Sequence, residues 1–191
     1  MKTIKTYLFM LSACGVLLFA SCVEDLDFDQ LDEVVLTPVF EADFIFSRFD
    51  TSEFEDPNLP PDTPIDVPPV RDTINYDLVG TDFAIDNLER VELTFEFRNT
   101  IETSFEFEFQ FLNDSDQPVG NLYMMTANPG LGEGTEPVVT TEIIELDNAT
   151  LAQLASARKL ATEVRVINAN SDLRGFVELR SKGTYFVNYQ L

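Results

Sequence analysis

Two alternating runs limit this chain more than any other feature. In ERVELTFEFR, Val91, Leu93, Phe95 and Phe97 alternate with Glu92, Thr94, Glu96 and Arg98. In TSFEFEFQF, Phe105, Phe107, Phe109 and Phe111 alternate with Glu106, Glu108 and Gln110. Successive side chains of a strand point to opposite faces, so each run places four apolar residues on one face and polar residues on the other. A helical period would scatter the same residues around the axis. Each run is therefore expected to be a strand of an antiparallel sheet with one wet face.

Neighbouring segments extend the pattern. Turns are expected over Asn99–Glu102 and over LNDSDQP, so three consecutive strands reach about Met125 as a meander or part of a Greek key. ANPGLGEGTEP reads as a loop and EPVVTTEIIEL as a strand. DNATLAQLASARKL changes period: Asp147 or Asn148 can cap a first turn, and a helix of about three turns is expected near 148–160. Strands follow at about 162–168, 174–181 and 184–191, with a Lys182-Gly183 turn joining the last two. Ahead of the alternating runs, residues 34–49 read as one or two strands broken near Pro38. Pro57, Pro60, Pro61, Pro64, Pro68 and Pro69 crowd residues 56–70, which reads as a stiff polyproline-II-like surface loop. The expected fold is all-β: a single antiparallel β-sandwich over 34–191 with one short helix. A small barrel and an immunoglobulin-like topology are the variants, although the antibody-type hallmarks are missing: there is no Trp, and both cysteines, Cys14 and Cys22, lie ahead of residue 34.

The N-terminus carries an address. Lys2 and Lys5 precede an apolar stretch from Tyr7 to Ala20, which has the length of a signal peptide core and is short for a membrane span. Small residues then meet a cysteine in Phe19-Ala20-Ser21-Cys22. This stretch resembles the lipobox of bacterial lipoproteins, with Phe19 in place of the usual Leu. The resemblance implies that residues 1–21 are removed, that the Cys22 thiol receives a diacylglycerol, and that the new amino group is acylated, with palmitate-like chains as the anchor. Leu11-Ser12-Ala13-Cys14 is closer by letters but would leave an apolar core of only about seven residues. Behind Cys22, Glu24, Asp25 and Asp27 resemble the acidic export signal of Bacteroidota surface lipoproteins; a plain acidic tether over 22–33 is the other reading. The implied location is the outer membrane, lipid-anchored, at the cell surface or on the periplasmic face.

Charge narrows the partners. The chain has 34 acids against 12 bases. Removing residues 1–21 takes two lysines and no acid, so the mature chain would carry −24 over 170 residues. Nucleic acid is excluded as a partner, because phosphate binding needs clustered Lys and Arg. Residues 24–86 hold 18 acids with only Arg48 and Arg71, whereas residues 87–191 hold 16 acids and eight bases. A strongly acidic front thus precedes a more balanced back.

Chemistry is sparse. The sequence has no His, which removes His-activated nucleophiles and the commonest zinc ligand. GLGEGTEP lacks the Lys and the strand-to-helix setting of a phosphate loop. No pair among the 34 acids is distinguished as a glycosidase pair. Asn113, Asp114 and Asp116 group oxygen ligands for calcium, but Pro118 stands where an EF-hand loop starting at Asn113 needs Gly, so turn chemistry is the simpler reading. The phenylalanine rows are expected in the core, with a lipid cavity as the alternative. The sequence therefore predicts a non-catalytic, lipid-anchored accessory or interaction subunit of an envelope assembly, with no cofactor. The alternative is a surface lipoprotein that binds calcium, a glycan or a hydrophobic molecule.

Overall fold

The computed structural model describes residues 35–54, 58–76 and 78–190. Thr37–Tyr189 forms one compact unit. The described residues outside it include β1 (Val35–Leu36). Within it lie β2 (Val39–Asp50), a 3₁₀ turn at Thr51–Phe54, β3 (Val70–Asn75), α1 (Asp82–Asn87), β4 (Leu88–Asn99), β5 (Phe105–Leu112), β6 (Pro118–Ala127), β7 (Val138–Leu146), α2 (Asn148–Gln153), β8 (Lys159–Val166) and β9 (Phe176–Val187), before β10 (Tyr189–Gln190).

Two four-stranded antiparallel sheets form, in the orders β2-β9-β4-β7 and β3-β8-β5-β6. Only β5 and β6 are joined by a hairpin within one sheet; the other connections among β2–β9 pass from one sheet to the other. The pairs β5·β6, β4·β7, β3·β8 and β2·β9 are the rungs of one long ribbon whose tip lies at residues 113–117. Rolling that ribbon so that β4 meets β9 and β5 meets β8 closes the two sheets, which is the jelly-roll form of a β-sandwich. The sandwich expected from the alternating runs is present, and the barrel and immunoglobulin-like variants are replaced by this topology.

The alternating runs explain the roll. Val91, Leu93, Phe95 and Phe97 of β4 and Phe105, Phe107, Phe109 and Phe111 of β5 are all buried. They belong to opposite sheets and face each other. Phe95 stacks on Phe109 with centroids 5.2 Å apart, and Phe97 meets Phe107 edge-on at 5.8 Å. Aromatic pairs of this kind are worth about 0.5–1.5 kcal/mol beyond the area they bury.

Residues 99–104 therefore form an arch between sheets and not the expected turn between neighbours. Buried Asn99 holds the arch: its amide donates to the Thr103 and Asn128 carbonyls at 2.8 Å each, and its oxygen accepts from Ile101 N at 2.9 Å. Gly130 runs so close that a Cβ there would overlap the Thr100 backbone.

Three further expectations are corrected. The Lys182-Gly183 turn does not exist, because β9 runs unbroken through it and pairs with β2 and β4 on its two sides. Gly183 instead leaves room for the Tyr185 ring, which a Cβ would strike. The helix near 148–160 is only α2, six residues long, capped by Asp147 Oδ1 on Thr150 N at 2.8 Å. It ends early because Lys159 already begins β8. Finally, β3 and α1 have no counterpart in the sequence reading, since both lie in the acidic front behind the prolines.

Phe95→Ala should destabilise the sandwich by about 3–5 kcal/mol, the range for emptying a large aromatic site. Glu96→Ala, on the wet face of the same strand, should stay within about 0.5 kcal/mol. Denaturant unfolding of the two variants checks the assignment of faces.

Candidate interaction surface

The two sheets differ in length, and this difference builds the most distinctive surface. β2, β4 and β9 have 12 residues each, whereas β3 has six and β5 and β8 have eight; only the outer strands β7, with nine, and β6, with ten, are of similar length. At one end the longer sheet overhangs the shorter. Tyr76, just past β3, is the last side chain of the short sheet there, and its hydroxyl meets that of Tyr185 at 2.7 Å. Beyond this pair the inner face of the long sheet has no opposing strand. The chain covers it instead with the 78–81 turn and α1. Thr81 starts α1 by accepting from Ala84 N at 3.1 Å, and buried Ala84 turns inward.

The cover is incomplete. A groove of about 260 Å³ remains, lined by Phe40, Leu78, Phe83, Leu88, Tyr185 and Val187 among others. Phe40, Leu78 and Phe83 are each about half exposed and stand together along it. Phe83 also lies 6.3 Å from the Tyr189 ring. Asp82 and Asp86 on α1 and Glu89 after it are exposed, and none of the three joins an ion pair among the described residues.

Both tyrosines of the Tyr76–Tyr185 pair are pushed above the ordinary value near 10, in each case chiefly by burial. Tyr123 is raised by burial as well, whereas the shifted carboxylates answer to local partners on wet faces. Glu163 is held below the usual carboxylate range by Arg71, 2.6 Å away. Asp147 is lowered by the Thr150 backbone N–H that it caps. The glutamate row of β5 joins this surface lattice through Arg165 and Glu108 at 3.2 Å. On the other sheet Glu178 sits between Arg48 at 3.3 Å and Arg180 at 2.6 Å.

The candidate site residues singled out from sequence fall into two places. Phe19, Ala20, Ser21, Cys22, Glu24, Asp25 and Asp27 lie outside the described residues. Asn113, Asp114 and Asp116 lie at the ribbon tip. Asn113 Oδ1 accepts from Ser115 N at 2.9 Å and from Gln117 N at 3.0 Å, while Asp116 pairs with Lys159 at 2.7 Å. Two of the three side chains are thus engaged in shaping or fastening the hairpin. Among the described residues, no group of three or more His, Cys, Asp or Glu is placed to hold a metal ion.

The described part of the proline-rich loop lies along residues 169–172. Ile65 N donates to the Ala169 carbonyl at 3.0 Å, Ser171 N to the Thr63 carbonyl at 2.9 Å, and Asp62 N to Asp172 Oδ2 at 2.7 Å. The phenylalanine rows belong to the core. A crevice of about 240 Å³ between the edges of β2 and β3 reaches Phe97, Phe105 and Phe107. The groove beneath α1 was missed from sequence, because α1 is a single capped turn and a half and its apolar residues sit among acids.

No protein-family model matches this chain, and no curated protein matches it. Solved structures give partial likenesses. One is a crystal structure of a protein from Parabacteroides distasonis described as secreted, with a TM-score of 0.45 and 11% identity over 61% of this chain and 37% of that one. Another is the VP2 subviral particle of infectious bursal disease virus, with a TM-score of 0.43 and 6% identity over 79% of this chain and 32% of that one. The chain thus matches only about a third of the length of each, and likeness at this level carries no functional argument. Among the described residues, no helix is long and apolar enough to cross a membrane.

Alkaline pH tests the tyrosine pair. A pKa raised on folding means that the native state keeps its proton longer than the unfolded chain. The stabilisation is full below pH 10 and is lost as pH rises above it. Tyr76→Phe should cost about 0.5–1.5 kcal/mol at neutral pH through the lost hydrogen bond. It should also flatten the decline in stability between neutral pH and about pH 11. Denaturation midpoints at the two pH values give both numbers.

Proposed function

We propose that this chain is a non-catalytic lipoprotein of the outer membrane, acting as an accessory or interaction subunit of an envelope assembly. The observation that carries the reading is Phe19-Ala20-Ser21-Cys22 at the end of a signal-length apolar stretch, with Glu24, Asp25 and Asp27 directly behind it. The mature body is then a β-sandwich on an acidic tether. Two or more acyl chains suffice for stable anchoring. Anchoring also raises the effective concentration towards membrane partners, so modest contacts suffice for association.

Binding is favoured over catalysis by the kind of groups present. The sequence has no His. The carboxylates with shifted pKa values answer to neighbouring hydrogen-bond and charge partners on the sheet faces and loops, and the shifted tyrosines answer mainly to burial. The groove beneath α1 is apolar and open, which suits a macromolecular contact.

Two experiments test this. Cys22→Ala should block processing and acylation, followed by intact mass and membrane fractionation, and Cys14→Ala should change neither. The reverse pattern would move the mature start to Cys14, and processing untouched by either change would end the lipoprotein reading. Mild-detergent isolation of the tagged chain from native outer membranes should then yield a stoichiometric membrane-protein partner. A chain that comes down alone would contradict the assembly role.

A further inference from the structure

We propose that the free edge of β3 is a docking site for an extended segment of a protein partner, which adds to it as an antiparallel strand. The segment carries lysine or arginine opposite Asp72 and a large apolar side chain opposite Val70. The inference names a contact surface and a partner chemistry for the interaction role proposed above, and rests on that reading.

Two hydrogen bonds fix which way the backbone of β3 faces. Tyr76 N donates to the Arg158 carbonyl at 2.8 Å, and Ile167 N donates to the Ser104 carbonyl at 3.0 Å. Backbone groups of an antiparallel strand turn alternately to its two sides. Carried along the unshifted registers of β3 with β8 and of β5 with β8, this alternation gives Val70, Asp72 and Ile74 to β8. Arg71, Thr73 and Asn75 then turn their backbone groups out of the sheet, where no strand pairs with them among the described residues. β2 and β6 carry register shifts in their ladders, a common way of blunting an edge, whereas β3 runs in register throughout.

Beside this edge the core opens. The crevice of about 240 Å³ between β2 and β3 is lined by Val70, Val164, Phe49, Phe97, Phe105 and Phe107 among others. It exceeds the roughly 150 Å³ of a cavity that holds benzene. Val70 is 54% exposed. Directly opposed residues of a ladder share a face, so a side chain opposite Val70 on an added strand lies on the crevice side.

Charge selects the occupant. Asp72 Oδ1 accepts from Thr73 N at 2.7 Å, which places this carboxylate at the outward edge. It joins no ion pair among the described residues, whereas neighbouring Arg71 is held by Glu163 at 2.6 Å. A wholly apolar strand would cover Asp72 without compensating its charge, which is costly. A cation opposite Asp72 draws the carboxylate off the Thr73 N–H, which then donates to the added strand. The chain's own residues 23–34 hold six acids and no cation. A second copy brings the same uncompensated carboxylate on a body with 34 acids against 12 bases.

The test uses the full chain isolated from its own cells, with its acyl state read by intact mass, so failure of the anchor reading and failure of the edge reading are separate results. An acylated chain is studied in nanodiscs of neutral lipid and a non-acylated one in buffer. The probe is a labelled synthetic peptide, Gly-Thr-Phe-Thr-Lys-Thr-Val-Thr-Gly, followed by fluorescence anisotropy. Glutamate in place of its lysine should weaken binding about fivefold. Serine in place of its phenylalanine should weaken binding about tenfold. N-methylation of the two threonines that flank the lysine should abolish binding, because their N–H groups face Arg71 and Thr73. N-methylation of the lysine and the phenylalanine, whose N–H groups face away, should leave it intact.

Asp72→Asn keeps an acceptor for Thr73 N and should erase the preference for lysine over glutamate. Val70→Ser, a second exposed site that guards against a folding defect in either variant, should shrink the preference for phenylalanine. Equal binding of the lysine and glutamate peptides, or binding indifferent to which residues are N-methylated, would overturn the proposal. So would a lysine preference that survives Asp72→Asn. Self-association of the chain that Asp72→Asn strengthens would also overturn it, and would make Asp72 a guard against pairing between copies.

Discussion

The face-to-face packing of two phenylalanine-bearing rows is the interaction on which the rest of this structure depends. Each row comes from a strand with one apolar and one polar side, and neither can be left facing water. Their mutual burial requires β4 and β5 to lie in different sheets, although they are adjacent in sequence. The arch at 99–104 follows from that requirement, with Asn99 satisfying the carbonyls of Thr103 and Asn128 and the Ile101 N–H. Once β4 and β5 are opposed, the ribbon that ends in the 113–117 hairpin can close only by rolling, with β9 beside β4 and β8 beside β5. The mature chain envisaged here has no disulfide, so this packing and the ladders around it hold the fold.

Periodicity made the strongest strands legible and left their partners open. The alternation in ERVELTFEFR and TSFEFEFQF identifies the strands and their buried faces, because burial on one face is a local property of the sequence. Nothing local says whether two such strands pair or oppose each other, which is why the 99–102 segment reads as a turn. The Lys182-Gly183 pair misleads for a related reason. Glycine in a strand can signal a turn, but here it makes room for a ring, and the Tyr185 side chain that needs the space lies two residues on. β3 escapes notice because it is an exposed edge strand in which only Ile74 is partly buried, so it has no apolar alternation to display.

The groove beneath α1 was illegible for a third reason: it is a consequence of unequal strand lengths. Phe40, Leu78 and Phe83 come from different segments and look like unremarkable apolar residues in an acidic stretch. They form a groove only because the long sheet projects past Tyr76 and α1 covers the projection in part. The calcium-like cluster shows the opposite case. Asn113 and Asp116 stand close together in sequence, and their neighbourhood serves the hairpin that forms the ribbon tip.

Nuclear Overhauser contacts in the folded protein test the opposed rows most directly. The account predicts ring-to-ring contacts between Phe95 and Phe109 and between Phe97 and Phe107, with backbone contacts of β4 only to β7 and β9. Cross-strand backbone contacts between β4 and β5, as in a hairpin, would contradict it and with it the rolled ribbon and the overhang.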